Sequence, residues 1–399
     1  MPHDGTALSN VIERLHHIEV GNGCPFHIAA AVLKPDAWGR RRVVSGRGLS
    51  ADEAARNCLF EAEERQGAVF SGDHPTLRGS ARNLEDEAVN PSRLLQISAA
   101  QYLSRHDWNA AVPADHALPG PFDEQADVTW VVASSLLTGR RTLVPAACCW
   151  LGFPRALEEG FPVPDSSGLA AGPDRDDAIA RAVAECVERD AVSIWWYNRV
   201  ARPSAALTAR DLAVWQPFSA WVRRCGRRWW LLDLTHDLAL PVVAAVSCDE
   251  QGSALSLGFG CAPDLATAAT QAMGELVQFE MTRRTLRIEG EGAYPHLVSW
   301  CSTTRLRDNE FLSPSDGAPR MQARGWTAVD ALRHAGLEAH VVDCPGRRND
   351  VKIVRVLVPG LRSIWPRLAP GRLYDVPVAL GWREKPLAET ELNPVPMLY

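Results

Sequence analysis

Three acidic patterns recur at the same spacing in distant parts of the 399-residue sequence. They read Asn57-x-x-x-Glu61-x-x-Glu64-Arg65, Arg181-x-x-x-Glu185-x-x-Glu188-Arg189-Asp190 and Gln271-x-x-x-Glu275-x-x-Gln278. Residues three and four apart share one face of a helix, so each pattern predicts two or three oxygen-bearing side chains in one stripe.

Small and apolar residues surround each stripe, for example Ala54 and Cys58 on the first and Ala268 and Ala269 on the third. This composition predicts largely buried helices. Buried carboxylates are costly unless a cation or a hydrogen-bond network neutralises them. Mg²⁺ suits such a set because it binds through a few carboxylates together with waters and substrate phosphates. The stripes therefore predict a shared nucleotide and magnesium site.

A simpler interpretation fits any single stripe taken alone. Glu61 with Arg65, and Glu185 with Arg189, could be local ion pairs on a solvated helix face. Three recurrences on alanine-rich helices, each after a glycine-containing segment, favour one shared site over three separate surfaces. The sequence contains no GxxxxGK[ST], HExxH or GxSxG motif, and no dinucleotide-binding GxGxxG opening a helix.

Local signals place the stripes on three long helices. Ser50 can cap the first, with Glu53 closing a reciprocal bond, and that helix is predicted to reach about Val69. The second follows Asp174 through Trp196 and the third follows Asp264 to about Thr282, while an amphipathic N-terminal helix is predicted around His16-His17. Strands are predicted at 128–132, 142–146, 229–234, 241–247, 254–258, 339–342 and 351–358. This mixture of elements predicts an α+β fold with helices packed on sheets.

Composition excludes several classes of protein. The net charge is -6, the pI is near 6.0 and basic runs are short, which argues against a nucleic-acid partner. The N-terminus has no signal-peptide pattern, and the longest apolar stretch carries charged residues and a proline, so no membrane span is expected. Ten scattered cysteines without a CxxC pair are expected to be reduced thiols in a cytoplasmic protein.

At these residues the sequence resembles the YcaO family, known for ATP-dependent activation of peptide amides. The resemblance is carried by segments 45–50, 166–172 and 372–377, by the three stripes and by residues 392–396. It covers residue 45 to the end, so 45–399 is expected to be a catalytic domain with a proline-containing tail. Residues 1–44 are expected to be a helix and strand extension of that domain. The implied fold has mixed or antiparallel sheets and helices around a non-Walker ATP site.

The resemblance also implies roles for individual residues. The magnesium ions that bridge ATP phosphates would be held by Glu61, Glu64, Glu185, Glu188 and Glu275. The nucleotide would be framed by Arg47, Ser50, Asn57, Ser167, Arg189 and Gln271. A catalytic tail would contribute Pro394, Pro396 and Tyr399. Asn57 stands where the family usually has Ser, and Arg47 where Lys is common, but both can hydrogen-bond to phosphate oxygens.

The alternating prolines favour the azoline-forming branch of the family, which converts Cys, Ser or Thr of a ribosomally made precursor peptide into thiazoline or oxazoline. Such a cyclodehydratase is expected to work in a hetero-oligomer with a leader-binding, ubiquitin-activating-like protein, and possibly beside an FMN-dependent dehydrogenase. Two alternatives remain. One is a YcaO enzyme that forms a thioamide or amidine at the same ATP site, and the other is a catalytically silent scaffold.

Overall fold

A computed structural model describes residues 11–21, 23–35, 42–84, 88–112, 117–208, 210–211, 215–289, 295–318, 320–346 and 348–397. The strands are β1 (Ile12–Ile18), β2 (His27–Leu33), β3 (Val43–Gly48), β4 (Leu77–Ser80), β5 (Asp127–Ser135), β6 (Arg141–Pro145), β7 (Leu169–Gly172), β8 (Arg227–Asp233), β9 (Val242–Asp249), β10 (Ser256–Cys261), β11 (His340–Cys344) and β12 (Lys352–Leu357). The helices are α1 (Ala51–Gly67), α2 (Ser92–Leu95), α3 (Ala99–Leu103), α4 (Arg105–Ala111), α5 (Ala146–Cys149), α6 (Arg175–Asn198), α7 (Gln216–Arg224), α8 (Leu265–Glu289), α9 (Pro295–Thr303), α10 (Ala328–His334) and α11 (Arg372–Ala379).

The strands pair antiparallel in three sheets. Their orders are β1-β2-β3, β10-β9-β8 and β4-β5-β11-β12-β7, with β6 paired to β5 in the third. Helix α1 packs on β2 and β3, and α8 packs on β9 and β10. Helix α6 packs on β7 and β12 of the large sheet and also contacts β9 and β10. The predicted α+β fold is therefore confirmed, and α6 contacts two of the sheets.

The three stripe-bearing helices lie where the sequence predicts them. Each has its expected N-terminal cap: the backbone N–H groups of Glu53 and Asp177 donate to Ser50 and Asp174, at 3.2 Å and 2.9 Å, and Asp264 receives the corresponding bond from Thr267 at 2.8 Å. Helix α8 runs past Thr282 to Glu289. All seven predicted strands are present, with ends displaced by a few residues.

The expected helix around His16-His17 is wrong. Residues 12–18 form an edge strand in which Leu15 faces Ala31 and His17 faces Ala29 of β2. The partner strand supplies the backbone hydrogen bonds, and this non-local pairing overrides the weak helical periodicity of the segment. Within the described ranges, no helix is long and apolar enough to cross a membrane. All ten cysteines are unbridged.

Candidate active site

Close contacts between glycine-bearing strands and helices bring the stripes toward one another. A Cβ on Gly46 of β3 would overlap the backbone nitrogen of Cys58 in α1, and one on Gly258 of β10 would overlap that of Leu276 in α8. Only glycine allows these strands to lie directly on the helix backbones. The N–H of Phe259 in β10 then reaches the carboxylate of Glu275 and donates to it.

Glu61 and Glu64 of α1 lie beside α6. Glu61 accepts a 2.8 Å hydrogen bond from Arg65, the pair that the simpler interpretation predicts. Burial raises the pKa of Glu64 well above its usual value, and the neighbouring carboxylates Glu61 and Glu185 raise it further. The two helices therefore share an electrostatic environment in which like charges crowd one another.

Helix α6 contributes the central part of the site. Arg189 donates to Glu185 at 3.1 Å and lies 3.3 Å from Glu188. Burial raises the pKa of Glu185 although Arg189 opposes the shift, and a bond from the N–H of Gly168 also reaches this carboxylate at 3.2 Å. Gly168 has φ +74°, and a Cβ there would overlap the carbonyl oxygen of Val356. This position requires glycine, because other residues are strained at such a φ.

Glu188 joins α6 to α8. Burial raises its pKa to about 8, Arg189 opposes this, and the charges of Glu275 and Glu185 add to it. The glutamates thus form a series of electrostatic neighbours from α1 through α6 to α8, which we call the carboxylate cluster: Glu61, Glu64, Glu185, Glu188 and Glu275. Helices far apart in the sequence thus supply neighbouring carboxylates, and the shared nucleotide and magnesium site remains a prediction.

The carboxylate cluster fits a divalent cation by charge. The pKa values of Glu64 and Glu188 lie above those of ordinary carboxylates, because burial and repulsion from neighbouring carboxylates outweigh the positive charge around them. In the ranges that the structure describes, no three or more His, Cys, Asp or Glu side chains stand close enough together to hold a metal ion. The role of each glutamate as a ligand remains a prediction.

Four of the predicted nucleotide-framing residues lie near this cluster. Arg47 is an electrostatic neighbour of Glu188 and donates to Gln278 of α8, while its carbonyl accepts from Asn57 at 2.7 Å. Gln271 accepts from the N–H of Cys261 at 3.1 Å, next to Glu275 on the same helix. Arg189 pairs with Glu185 and Glu188 of the cluster. Their contacts bring β3, α1, α6, β10 and α8 together at the site.

Ser50 and Ser167 have different surroundings. Ser50 is exposed and caps α1, and Glu53 accepts from the N–H of Leu49 at 2.8 Å instead of that of Ser50. The structure therefore gives Ser50 a role in helix capping, and its predicted contact with nucleotide is untested. Ser167 lines a cavity together with Arg189, and its N–H donates to Asp165 at 2.9 Å.

The proline-containing tail is fastened to the C-terminal half of α6. Trp196 donates to the carbonyl of Val395 at 2.7 Å, and the N–H of Asn393 donates to the Tyr197 carbonyl at 2.8 Å. Pro394 and Pro396 are exposed. Trp196 is eight residues beyond Glu188, or roughly 12 Å along the helix. The tail therefore packs on the helix that carries Glu185 and Glu188. Tyr399 falls outside the described residues, and its predicted role is untested.

Sequence reasoning missed a buried charge network beside the site. Asp190 follows Arg189 on α6, is fully buried, and accepts from Arg372 at 2.6 Å and from the backbone N–H of Arg362 at 2.7 Å. His236 lies 2.9 Å from the same carboxylate. Burial would raise the pKa of Asp190, but Arg372 and His236 outweigh it and hold this pKa far below its usual value. The adjacent charged residues Arg189 and Asp190 are the feature of the sequence that could have indicated this network.

Residues 45–362 match the YcaO cyclodehydratase family, which is described as ATP- and Mg²⁺-binding. The chain therefore belongs to the YcaO family. It is 26% identical over 354 residues to an uncharacterised protein of Methanothermobacter thermautotrophicus, covering 83% of this chain and 85% of that protein. It is also 27% identical to an uncharacterised protein in the tfuA 3′ region of Rhizobium leguminosarum bv. trifolii, over 80% of this chain and 76% of that protein.

Solved structures resemble the whole fold. A heterocyclase in complex with substrate and cofactor has a TM-score of 0.86 and 32% identity, covering 97% of this chain. The heterocyclase TruD has a TM-score of 0.73 and 33% identity, covering 88% of this chain. The chain spans about half the length of these two proteins, 55% and 51%. A YcaO protein from Methanopyrus kandleri bound with AMPPCP and Mg²⁺, 22% identical over 88% of this chain and 86% of that one, shares the fold at a TM-score of 0.62.

Proposed function

We propose that this chain is an ATP-dependent cyclodehydratase that converts Cys, Ser or Thr of a ribosomally made precursor peptide into thiazoline or oxazoline. One observation carries the proposal: carboxylates from α1, α6 and α8 are successive electrostatic neighbours in a chain of the YcaO family, and Arg189 pairs with the two on α6. Two solved structures above 30% identity are heterocyclases, which favours azoline formation over a thioamide, an amidine or a silent scaffold.

The proposed reaction balances with ATP as co-substrate. The side-chain sulfur or oxygen of the substrate residue attacks the carbon of the preceding amide, and the amide oxygen then takes the γ-phosphoryl group as its bond to ADP breaks. The attack closes the ring and releases the proton of the side-chain thiol or hydroxyl. The C–O bond breaks next, the amide nitrogen loses its proton, and a C=N bond forms within the ring. The amide oxygen leaves in inorganic phosphate. An amide oxygen is a poor leaving group, so its phosphorylation supplies the driving force.

Each part of the site has a task in this scheme. The carboxylate cluster would hold Mg²⁺, whose charge would neutralise the phosphate oxygens of ATP. Arg47, Asn57, Arg189 and Gln271 would frame the nucleotide with charged and amide donors. Ser50 and Ser167 would make polar contacts at the edges of the nucleotide site. The cluster's protons would be released as the cation binds, because metal ligands must be deprotonated.

The tail has a positioning task in the proposal. Its bonds to Trp196 and Tyr197 fix residues 393–397 against α6, the helix that carries Glu185 and Glu188. Pro394 and Pro396 would hold the chain end extended toward the reacting amide, since proline restricts the backbone. Tyr399 would be the last group of that approach. A leader-binding, ubiquitin-activating-like protein is the proposed partner that delivers the peptide, and an FMN-dependent dehydrogenase would oxidise the rings.

The test is a reconstitution with a Cys- or Ser-containing precursor peptide from a neighbouring reading frame, its partner protein and MgATP. The expected product has lost one water per ring, and ¹⁸O placed in the substrate amide appears in inorganic phosphate. Glu188→Gln should fold and yet abolish phosphate release. Replacement of oxygen by sulfur in the product would indicate a thioamide enzyme. Unchanged phosphate release by Glu188→Gln would refute the proposed role of Glu188 in binding metal.

A further inference from the structure

The cavity that Ser167 and Arg189 line adjoins the carboxylate cluster. It has a volume of about 150 Å³ and is lined by residues of α2, α5, α6 and β12 and of the segments 162–167 and 361–367. Arg189 and Ser167 belong to its wall, whereas Glu185 and Glu188 do not. Arg189 is thus shared, since it faces this cavity and also pairs with both of those glutamates.

The wall of this cavity is strongly cationic. Five of its residues are arginines and one is an acid, Asp165; the arginines are Arg93, Arg189, Arg355, Arg362 and Arg367. Asp165 offsets part of this charge, chiefly at Arg355. Its backbone carbonyl accepts from Arg355 at 2.7 Å, its carboxylate lies 3.7 Å from the same side chain, and the indole of Trp365 also donates to it. We call the space the arginine cavity.

Several guanidinium donors in the arginine cavity have no acceptor. Arg367 is only 9% exposed, and its guanidinium takes part in none of the hydrogen bonds or ion pairs found among the described residues, although the charge of Asp165 acts on it. The Nε atoms of Arg355 and Arg362 are buried and have no hydrogen-bond partner. Burying a charged donor without a partner is costly, so this arrangement indicates that an anion completes the site.

The donors favour phosphate among small anions. They come from four separate elements around the space, and a tetrahedral phosphate offers acceptor oxygens in more directions than a planar carboxylate does. Guanidinium forks match phosphate oxygens well. A volume near 150 Å³ leaves room for such an ion and some water.

We propose that the arginine cavity binds inorganic phosphate and receives it as it leaves the nucleotide site. The first half of this inference depends only on the cavity. The second half rests on the proposed function, in which phosphate forms on the carboxylate side of Arg189. That arginine would pass from the carboxylates to the departing anion, and the unpaired guanidinium of Arg367 would hold the ion away from the reacting amide.

The test is a calorimetric titration of the full chain with inorganic phosphate, in the absence of ATP and Mg²⁺. Saturable binding is expected for the wild type. Arg367→Gln should weaken it by about tenfold or more, as for loss of a charge-assisted hydrogen bond. Arg93→Gln should also weaken it, and this variant serves if the first folds poorly by circular dichroism. Arg333→Gln, an exposed arginine paired with Asp330 on α10, is the matched control and should leave binding unchanged.

The results separate this inference from the proposed function. Absence of saturable phosphate binding, or equal binding by the wild type and both cavity variants, overturns the inference. Displacement of phosphate by acetate at equal concentration overturns it too, because the site would then accept any small anion. If the chain binds phosphate but releases none when it is given ATP and peptide, the result supports the cavity as a phosphate site and refutes the proposed function.

Discussion

Glu188→Gln should stabilise the ligand-free protein at alkaline pH, although it removes a group that the proposed reaction needs. The carboxylate is 9% exposed, and burial together with Glu275 and Glu185 raises its pKa from 4.5 to about 8. In the unfolded chain this group ionises near pH 4.5, whereas in the folded chain it keeps its proton until about pH 8. The folded state therefore binds the extra proton, and stability falls as pH rises through this window.

The size of the effect follows from the same shift. From pH 6 to about pH 8 the wild type should lose roughly 1.4 kcal/mol per pH unit from this group, so by pH 9 the Gln variant gains roughly 1 to 3 kcal/mol relative to it. An entropy of unfolding of about 2.1 cal/mol/K per residue gives roughly 0.8 kcal/mol/K for a chain of this length. The Tm difference between variant and wild type should thus grow by about 1 to 4 °C.

The assay is thermal unfolding of both proteins at pH 6, 7, 8 and 9 without nucleotide or divalent cation. Glu310→Gln, at an exposed position, is the control, and its Tm difference from the wild type should not vary with pH. A difference for Glu188→Gln that stays constant from pH 6 to 9 would show that Glu188 ionises normally. The electrostatic coupling between α6 and α8 would then be refuted.

Three further perturbations test other parts of the structure. Removal of residues 394–399 should reduce ring formation far more than MgATP binding, measured by mass spectrometry and calorimetry; equal losses would mean that the tail only supports the fold. Asp190→Asn should destabilise the chain by roughly 3 kcal/mol or more, because it breaks a buried ion pair, whereas Asp316→Asn at an exposed site should not; urea unfolding measures both. Gly258→Ala should cost roughly 1 to 3 kcal/mol through overlap with the Leu276 backbone, and an unchanged urea midpoint would contradict that contact.

The sequence predicts the elements of this protein better than their assembly. Helix caps at Ser50, Asp174 and Asp264 are local signals, so the three stripe-bearing helices are found with their correct beginnings. Strands with continuous apolar runs are likewise predictable. Strand β1 is not, because its pairing with β2 is a non-local interaction that periodicity within 12–18 does not reveal.

The same division applies to the candidate site. Spacing predicts which glutamates share a helix face, and in the folded chain these glutamates are electrostatic neighbours. Spacing does not reveal Arg367 or Asp165, which reach the arginine cavity from segments with no repeated pattern. Nor does it show that Asp190 belongs to a buried network with Arg372, since these residues are 182 positions apart.

The central claim is that acidic side chains from three distant helices together bind the nucleotide through a divalent cation. It is tested most directly by calorimetric titration of ATP into the wild type and into Glu61→Gln, Glu185→Gln and Glu275→Gln, one variant for each helix, with and without Mg²⁺. We expect Mg²⁺-dependent binding by the wild type and a loss of about tenfold or more in each variant. Wild-type affinity in all three variants, or binding that does not require Mg²⁺, would contradict the claim.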